Sequence, residues 1–254
     1  MTLVTGDEDG SNAPHEDRPP SRAKRWEYGK FGGEHAPVPG WLRPHLAEPR
    51  WSMIAVLLVA VILQLLLPDS FVLRPRSAAP AIELVLCVIL LIGNPGPVHD
   101  RHPALRPISL ALISVLAATN AVSTVLLLDA ILTGSVVTAD KILASGASIW
   151  LTNIIVYALW YWEFDRGGAA ARAGVRSQTP DFLFPQMADA RLDPDFRPTF
   201  LDYLYVSFTN ATAFSPTDTM PLSRWAKVLM MSQAVVSLVT VGLVAARAVN
   251  ILPS

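Results

Sequence analysis

Five stretches of this chain run for the length of a membrane-crossing helix with almost no charge: 51–67, 77–93, 108–133, 142–162 and 227–246. A hydrocarbon layer about 30 Å thick takes roughly 17 to 25 helical residues to cross. Inside it, only a helix or a closed barrel satisfies every backbone N–H and C=O. Continuous apolar runs, without amphipathic spacing, point to an all-α membrane protein with five transmembrane helices. Charge agrees: 16% of the residues are charged, against about a quarter in soluble domains. An ordinary soluble enzyme is excluded. The net charge of −1 supplies no field to draw in nucleic acid. Cys87 is the single cysteine, so no internal disulfide and no cysteine-built zinc cluster is expected.

A sixth apolar segment, 200–214, is too short to span comfortably and carries Asp202, Ser207, Thr209, Asn210 and Thr212. It follows a polar loop, 163–199, and its mixture of aromatic and hydroxyl side chains predicts one short re-entrant helix. Backbone that reverses at membrane depth is tolerated only where protein or a wet cavity surrounds it. Residues 49–254 are thus expected to be the membrane domain. Residues 1–48 are expected to be a disordered N-terminal tail, acidic and proline-bearing at first, with no apolar segment placed like a signal peptide. Near the membrane the tail turns basic and aromatic, with Lys24, Arg25, Trp26, Tyr28, Lys30, Phe31, Trp41 and Arg43 expected as interfacial anchors. Trp160, Tyr161 and Trp162 are expected to form an aromatic belt. With 200–214 re-entrant, sixteen Lys and Arg fall on one side of the bilayer and three on the other. The positive-inside rule makes the N-terminus cytoplasmic.

Ionisable groups inside the runs are the first site candidates. Glu83 begins the second helix, Asp129 ends the third and Arg247 ends the fifth, so alternating helices place all three near one face. Two readings stand: an ion or proton pathway, or structural charges that pair or snorkel to the interface. Arg247 is expected to pair with Glu83 or Asp129. Asn120, Asn153 and Gln233 are expected to join helices by hydrogen bonds. His99 and His102 flank Asp100 between prolines, which suits a solvated loop better than a metal site. No catalytic constellation, phosphate-cradling loop or cofactor motif emerges, so the protein is not expected to be an enzyme.

From Tyr203 the chain runs YLYVSFTNATAFSPTDTMPLSRWAKVLMMSQ: an aromatic helix, a hydroxyl-rich turn, an acid, a proline and a spanning helix. This frame resembles the pore module of potassium channels. Thr209 and Thr212 match threonines before the filter; Asp218, Pro221, Ser223 and Lys227 match the spacing after it. The filter itself is missing. Ala213-Phe214-Ser215-Pro216-Thr217 has neither glycine of the channel sequence, and Pro216 fixes φ and removes a donor. Potassium selectivity is therefore not expected, and the charge count places this loop on the cytoplasmic side, whereas a channel's enters from outside. With Trp150-Leu-Thr-Asn153 and Asp181-Phe-Leu-Phe-Pro185, residues 50–251 also resemble an uncharacterised family of bacterial inner-membrane proteins with no assigned activity. The resemblance implies a multi-pass protein of the bacterial inner membrane, with the lipid bilayer as its partner and a homotetramer if it is channel-like. Pore-loop candidates are Thr209, Asn210, Thr212, Ser215, Thr217 and Asp218, the last either bracing the loop or binding a solute. Two functions remain open: conduction of a small ion or solute, or a non-conducting structural or interaction role that keeps the pore-loop shape for packing.

Overall fold

The structure is a computed structural model that describes residues 38–46, 48, 51–93, 105–134, 138–176, 179–212 and 218–251, without the side chains of 139, 248, 250 and 251. The expected tail up to residue 37, the His99–His102 loop and the filter-like stretch 213–217, with Ser215 and Thr217, lie outside these residues.

The chain is mostly helical. Helices α1 (Trp51–Leu66) and α2 (Ala78–Gly93) have 16 residues each, about 24 Å at 1.5 Å per residue. Pro68 ends α1, and Pro80 stands in the first turn of α2, where a missing amide costs nothing. Helix α3 (Leu105–Leu132) has 28 residues and α4 (Ala139–Phe164) has 26. Beyond them lie the short α5 (Ala169–Ala173) and α6 (Pro185–Ala188), then α7 (Phe200–Thr212) and the 28-residue α8 (Arg224–Ile251). Three helical stretches, Leu105–Leu132, Asp140–Gly167 and Arg224–Arg247, are long and apolar enough to cross a membrane. Two-residue strands β1 (Phe182–Leu183) and β2 (Met220–Pro221) pair antiparallel, Phe182 opposite Pro221 and Leu183 opposite Met220.

The central element is α4. It packs against α1, α3, α7 and α8, while α2 packs mainly on α3 and α1. Accordingly the expected aromatic belt is interior: Tyr161 and Trp162 are fully buried beneath α7 and the segment before α1. Along α8 the buried positions are Ala226, Met230, Gln233, Ser237, Thr240 and Val244, alternating steps of four and three, the seam of a helix pressed along one line of contact. Its other faces expose Val228, Met231, Val235 and Leu238, each more than 60% accessible. A helix facing water would be polar at such positions, so these suit lipid or another protein surface. Gly146 lets this seam close: a Cβ there would come within 2.7 Å of Val244 Cγ2.

One boundary shifts. The residues just before α1 belong to the folded unit that begins at Val38, not to an anchor at the lipid surface. Trp41 is 4% exposed, and Arg43 Nη1 pairs with Asp195 Oδ1 at 2.8 Å. Gly40 sits in a 3-10 turn (Gly40–Leu42), and its N–H donates to the Pro194 carbonyl at 2.7 Å. A Cβ on Gly40 would lie 2.5 Å from the Asp195 carbonyl carbon. Backbone cannot yield as a flexible side chain can, so Gly40→Ala is expected to cost about 1 to 3 kcal/mol. Faster proteolysis within 38–46 should accompany it. Wild-type melting and wild-type protease resistance would contradict this contact.

Candidate functional site

Two polar assemblies hold α7 in place, one at the end where α4 finishes and one deeper between α4, α7 and α8. The first starts from a sharp reversal after Phe164. Arg166, Gly167 and Gly168 have φ of 53°, 85° and 96°, a left-handed run that glycine adopts freely and arginine only under constraint. The constraint on Arg166 is visible. Its N–H donates to Asp181 Oδ2 at 2.9 Å, its Nη1 donates to the Trp41 carbonyl at 3.2 Å, and its guanidinium lies 5.2 Å from the Trp41 ring centroid.

Asp165, fully buried, is the hub. Its Oδ1 accepts the N–H of Asp181 at 2.8 Å and of Phe182 at 3.3 Å, and its Oδ2 accepts the Tyr203 hydroxyl at 2.6 Å. Arg172, 4% exposed, donates from Nη1 to the carbonyls of Trp162 and Asp165. Its guanidinium lies 5.6 Å from the Trp162 ring centroid and 5.0 Å from that of Tyr203. Asp181 also accepts Trp225 Nε1 at 2.9 Å, and its carbonyl accepts the Leu222 N–H at 2.8 Å. One cluster therefore joins the end of α4, the α4–α7 loop, α7 and the start of α8.

The first turn of α7 is capped twice. Asp202 Oδ2 accepts the Thr199 N–H at 2.7 Å and its hydroxyl at 2.8 Å, a variant of the capping box. Glu48 Oε2 accepts the Phe200 N–H at 2.8 Å and Trp162 Nε1 at 3.1 Å, a carboxylate at the positive end of the helix.

Deeper down, Gln233 of α8 uses all four of its hydrogen-bonding positions. Oε1 accepts Tyr161 Oη at 2.6 Å and Asn210 Nδ2 at 2.8 Å; Nε2 donates to the Ser207 carbonyl at 3.0 Å and to Ser207 Oγ at 2.7 Å. Ser207 Oγ donates onward to the Ile154 carbonyl at 2.7 Å. One turn further, Trp150 Nε1 donates to Ser237 Oγ at 2.7 Å, and Ser237 Oγ donates to the Ala211 carbonyl at 2.5 Å. These contacts fix the path of α7. It starts beside Trp162 and reaches the level of Trp150; by Met220 the chain is beside Leu183 again, at the end where it began.

The expected pore-loop residues divide accordingly. Thr209, Asn210 and Thr212 share the last turn of α7, and the donors of all three are engaged. Thr209 Oγ1 donates to the carbonyls of Tyr205 and Val206, Thr212 Oγ1 to that of Thr209, and Asn210 Nδ2 to Met230 and Gln233. Asp218 is exposed, and the turn it is expected to brace, 213–217, lies outside the described residues. Ser223 does cap α8, its Oγ accepting the Ala226 N–H at 3.3 Å.

Glu83, Asp129 and Arg247 lie toward the same end of the bundle without forming a cluster. No ion pair among the described residues joins Arg247 to either acid, and Arg247 Nε is buried without a hydrogen-bond partner. For Glu83 lateral order explains this: α8 packs mainly on α4, α7 and α3, and α2 mainly on α3 and α1. Glu83 instead meets Gln64 of α1, and Asp129 is exposed. Among the described residues, no group of three or more His, Cys, Asp or Glu is placed to hold a metal ion.

Asp165, Arg172, Asp181 and Glu48 were not anticipated as a set, because each resembles an ordinary loop charge. The one signal was the Asp-Arg-Gly-Gly sequence closing an aromatic helix, where two glycines mark a backbone turn that needs bracing. Compared with family models, curated proteins and solved structures, the chain matches none of them.

Proposed function

We propose that this is an integral membrane protein of five spans in which α7 is re-entrant, and that α4, α7 and α8 form a pore-module-like unit for passage of a small ion or solute. The observation that carries this reading is the path of α7. It descends from Trp162 to Trp150 along α4, the most buried of the three long apolar helices, and the chain is back at the same end by Met220. A hydroxyl-bearing last turn at the deep end of a short helix, leaning on an outer helix and an inner helix, is the arrangement a pore loop requires. The exposed apolar side chains of Leu201, Tyr205 and Phe208 on α7 suit a neighbouring copy in a ring. The short α1 and α2 cross by tilting or by local thinning of the bilayer. In this reading the N-terminus is cytoplasmic, the membrane is a bacterial inner membrane, and the chain has no catalytic role.

A second reading has its own support. The donor groups of Thr209, Asn210 and Thr212 point within α7 or to α8, which fits a packing element that conducts nothing. Reconstitution of the full chain in liposomes separates the two. Conduction predicts ion or solute flux above protein-free vesicles, together with a ring of copies, four in the channel-like case, captured by cross-linking in lipid. A monomer without flux would overturn the pore reading and leave α7 as a structural element.

A further inference from the structure

Between α1 and α2 two polar side chains meet deep in apolar surroundings. Glu83 is fully buried, Gln64 is 4% exposed, and Gln64 Nε2 donates to Glu83 Oε1 at 3.4 Å. Their other two oxygens, Gln64 Oε1 and Glu83 Oε2, are buried with no hydrogen-bond partner. If Glu83 were ionised, both would be acceptors side by side, with one hydrogen too few between them. Among the described residues no cation is paired with Glu83. Helix α1 carries no charged residue, and the next titratable group on α2 is Cys87, one turn on and buried. From α3, which packs on α2, Asp129 is exposed and Arg106 is engaged with Glu163 at 3.7 Å. In the connection to α2, Arg76 is paired with Asp69 and donates to the Leu65 carbonyl.

We propose that Glu83 and Gln64 form a proton-binding site inside the α1–α2 interface, with the proton bound at neutral pH. A proton on Glu83 Oε2 donates to Gln64 Oε1 while Gln64 Nε2 donates to Glu83 Oε1. This reciprocal acid–amide pair satisfies both orphan oxygens with a single hydrogen. An ionised carboxylate without a cation is among the costliest groups to place in hydrocarbon, and a buried acid responds by holding its proton. Glu83 lies about 8 Å along α2 from Ala78, at 1.5 Å per residue. That is deep enough to be dry and close enough to the 67–77 connection to exchange a proton with water. Binding the proton fastens α1 to α2, and losing it leaves a bare charge in their contact. The site stands independently of whether the α7 unit conducts.

Infrared difference spectroscopy of the full chain in lipid at neutral pH tests this. The wild type should show the carbonyl stretch of a protonated carboxylic acid, above the amide band, and Glu83→Gln should lose it. Glu83→Gln should also keep the wild-type melting temperature, because two amides can form the same reciprocal pair. Gln64→Leu should shift the band to higher frequency, because the Glu83 carbonyl loses its donor. The proposal is overturned if Glu83→Gln removes no carboxylic-acid band. It is equally overturned if Glu83→Gln fails to fold or melts well below the wild type, since the site would then need a charge and not a proton. An unshifted band in Gln64→Leu would overturn the pairing itself.

Discussion

Asp165→Ala is expected to cost about 3 to 5 kcal/mol, the range for removing one partner of a buried charged cluster. The substitution strips an acceptor from the Asp181 and Phe182 amides and from the Tyr203 hydroxyl. It also removes a carboxylate whose charge acts on Arg172, which is 4% exposed. A buried donor left unsatisfied costs about 1 to 3 kcal/mol, well above the net worth of an average hydrogen bond. Tyr203→Phe removes one bond and leaves the rest of the hub intact, so it should cost only about 0.5 to 1.5 kcal/mol. Reversible unfolding in mixed micelles, followed by tryptophan fluorescence, would report both changes, since Trp41, Trp162 and Trp225 all touch the cluster. If Asp165→Ala costs no more than Tyr203→Phe, the carboxylate is not the hub described here. A charge-assisted cluster at this position also has a consequence for α7. Tyr203 is fixed from its first turns, so loosening Asp165 frees the helix at the end where it enters the bundle.

The helices were legible because apolar runs carry their own boundaries. The expected 51–67 and 77–93 compare with Trp51–Leu66 and Ala78–Gly93, where Pro68 and Gly93 interrupt the pattern. The expected 227–246 begins earlier, at Arg224, because Ser223 caps it and the first turn is polar. What a linear reading missed is lateral order. A shared end of the membrane does not decide the partner of Glu83; which helix stands beside which does, and the acid meets an amide of α1. Trp41 shows the same gap: a ring in a basic, aromatic stretch suits lipid headgroups and the face of an arginine equally well, and here it lies against Arg166. The hub around Asp165 was hidden because its ligands come from residues 16, 17 and 38 positions away. The hydroxyl-rich turn of α7 was visible in the sequence. That its hydroxyls bond to carbonyls of their own helix follows from backbone geometry that composition does not encode.

Gln233→Leu should cost about 2 to 4 kcal/mol, because one side chain makes four hydrogen bonds from α8 to α4 and α7. In membrane helices a single interhelical hydrogen bond contributes about 0.6 kcal/mol on average and up to about 1.7. Leucine has nearly the right volume, so the loss is of bonding and not of packing. It leaves the Tyr161 hydroxyl and one contact of Asn210 without an acceptor in a site that water does not reach. Ser232→Ala is the matched control. It removes one interhelical bond, between Tyr157 Oη and Ser232 Oγ at 2.9 Å, together with the local donation of Ser232 Oγ to the Leu229 carbonyl of its own helix, one position before Gln233, and should cost under about 1 kcal/mol. Asn210→Leu combined with Gln233→Leu should cost less than the sum of the two single changes, because both act on one network. Full additivity would mean that the two amides hold α7 separately. A Gln233→Leu cost no larger than that of Ser232→Ala would mean that the aromatic contacts Trp150–Phe208 and Trp162–Phe200 position α7 by themselves. In the expected case, the depth of α7 depends on a glutamine at the middle of the α8 seam, and any solute path along its last turn depends on it too.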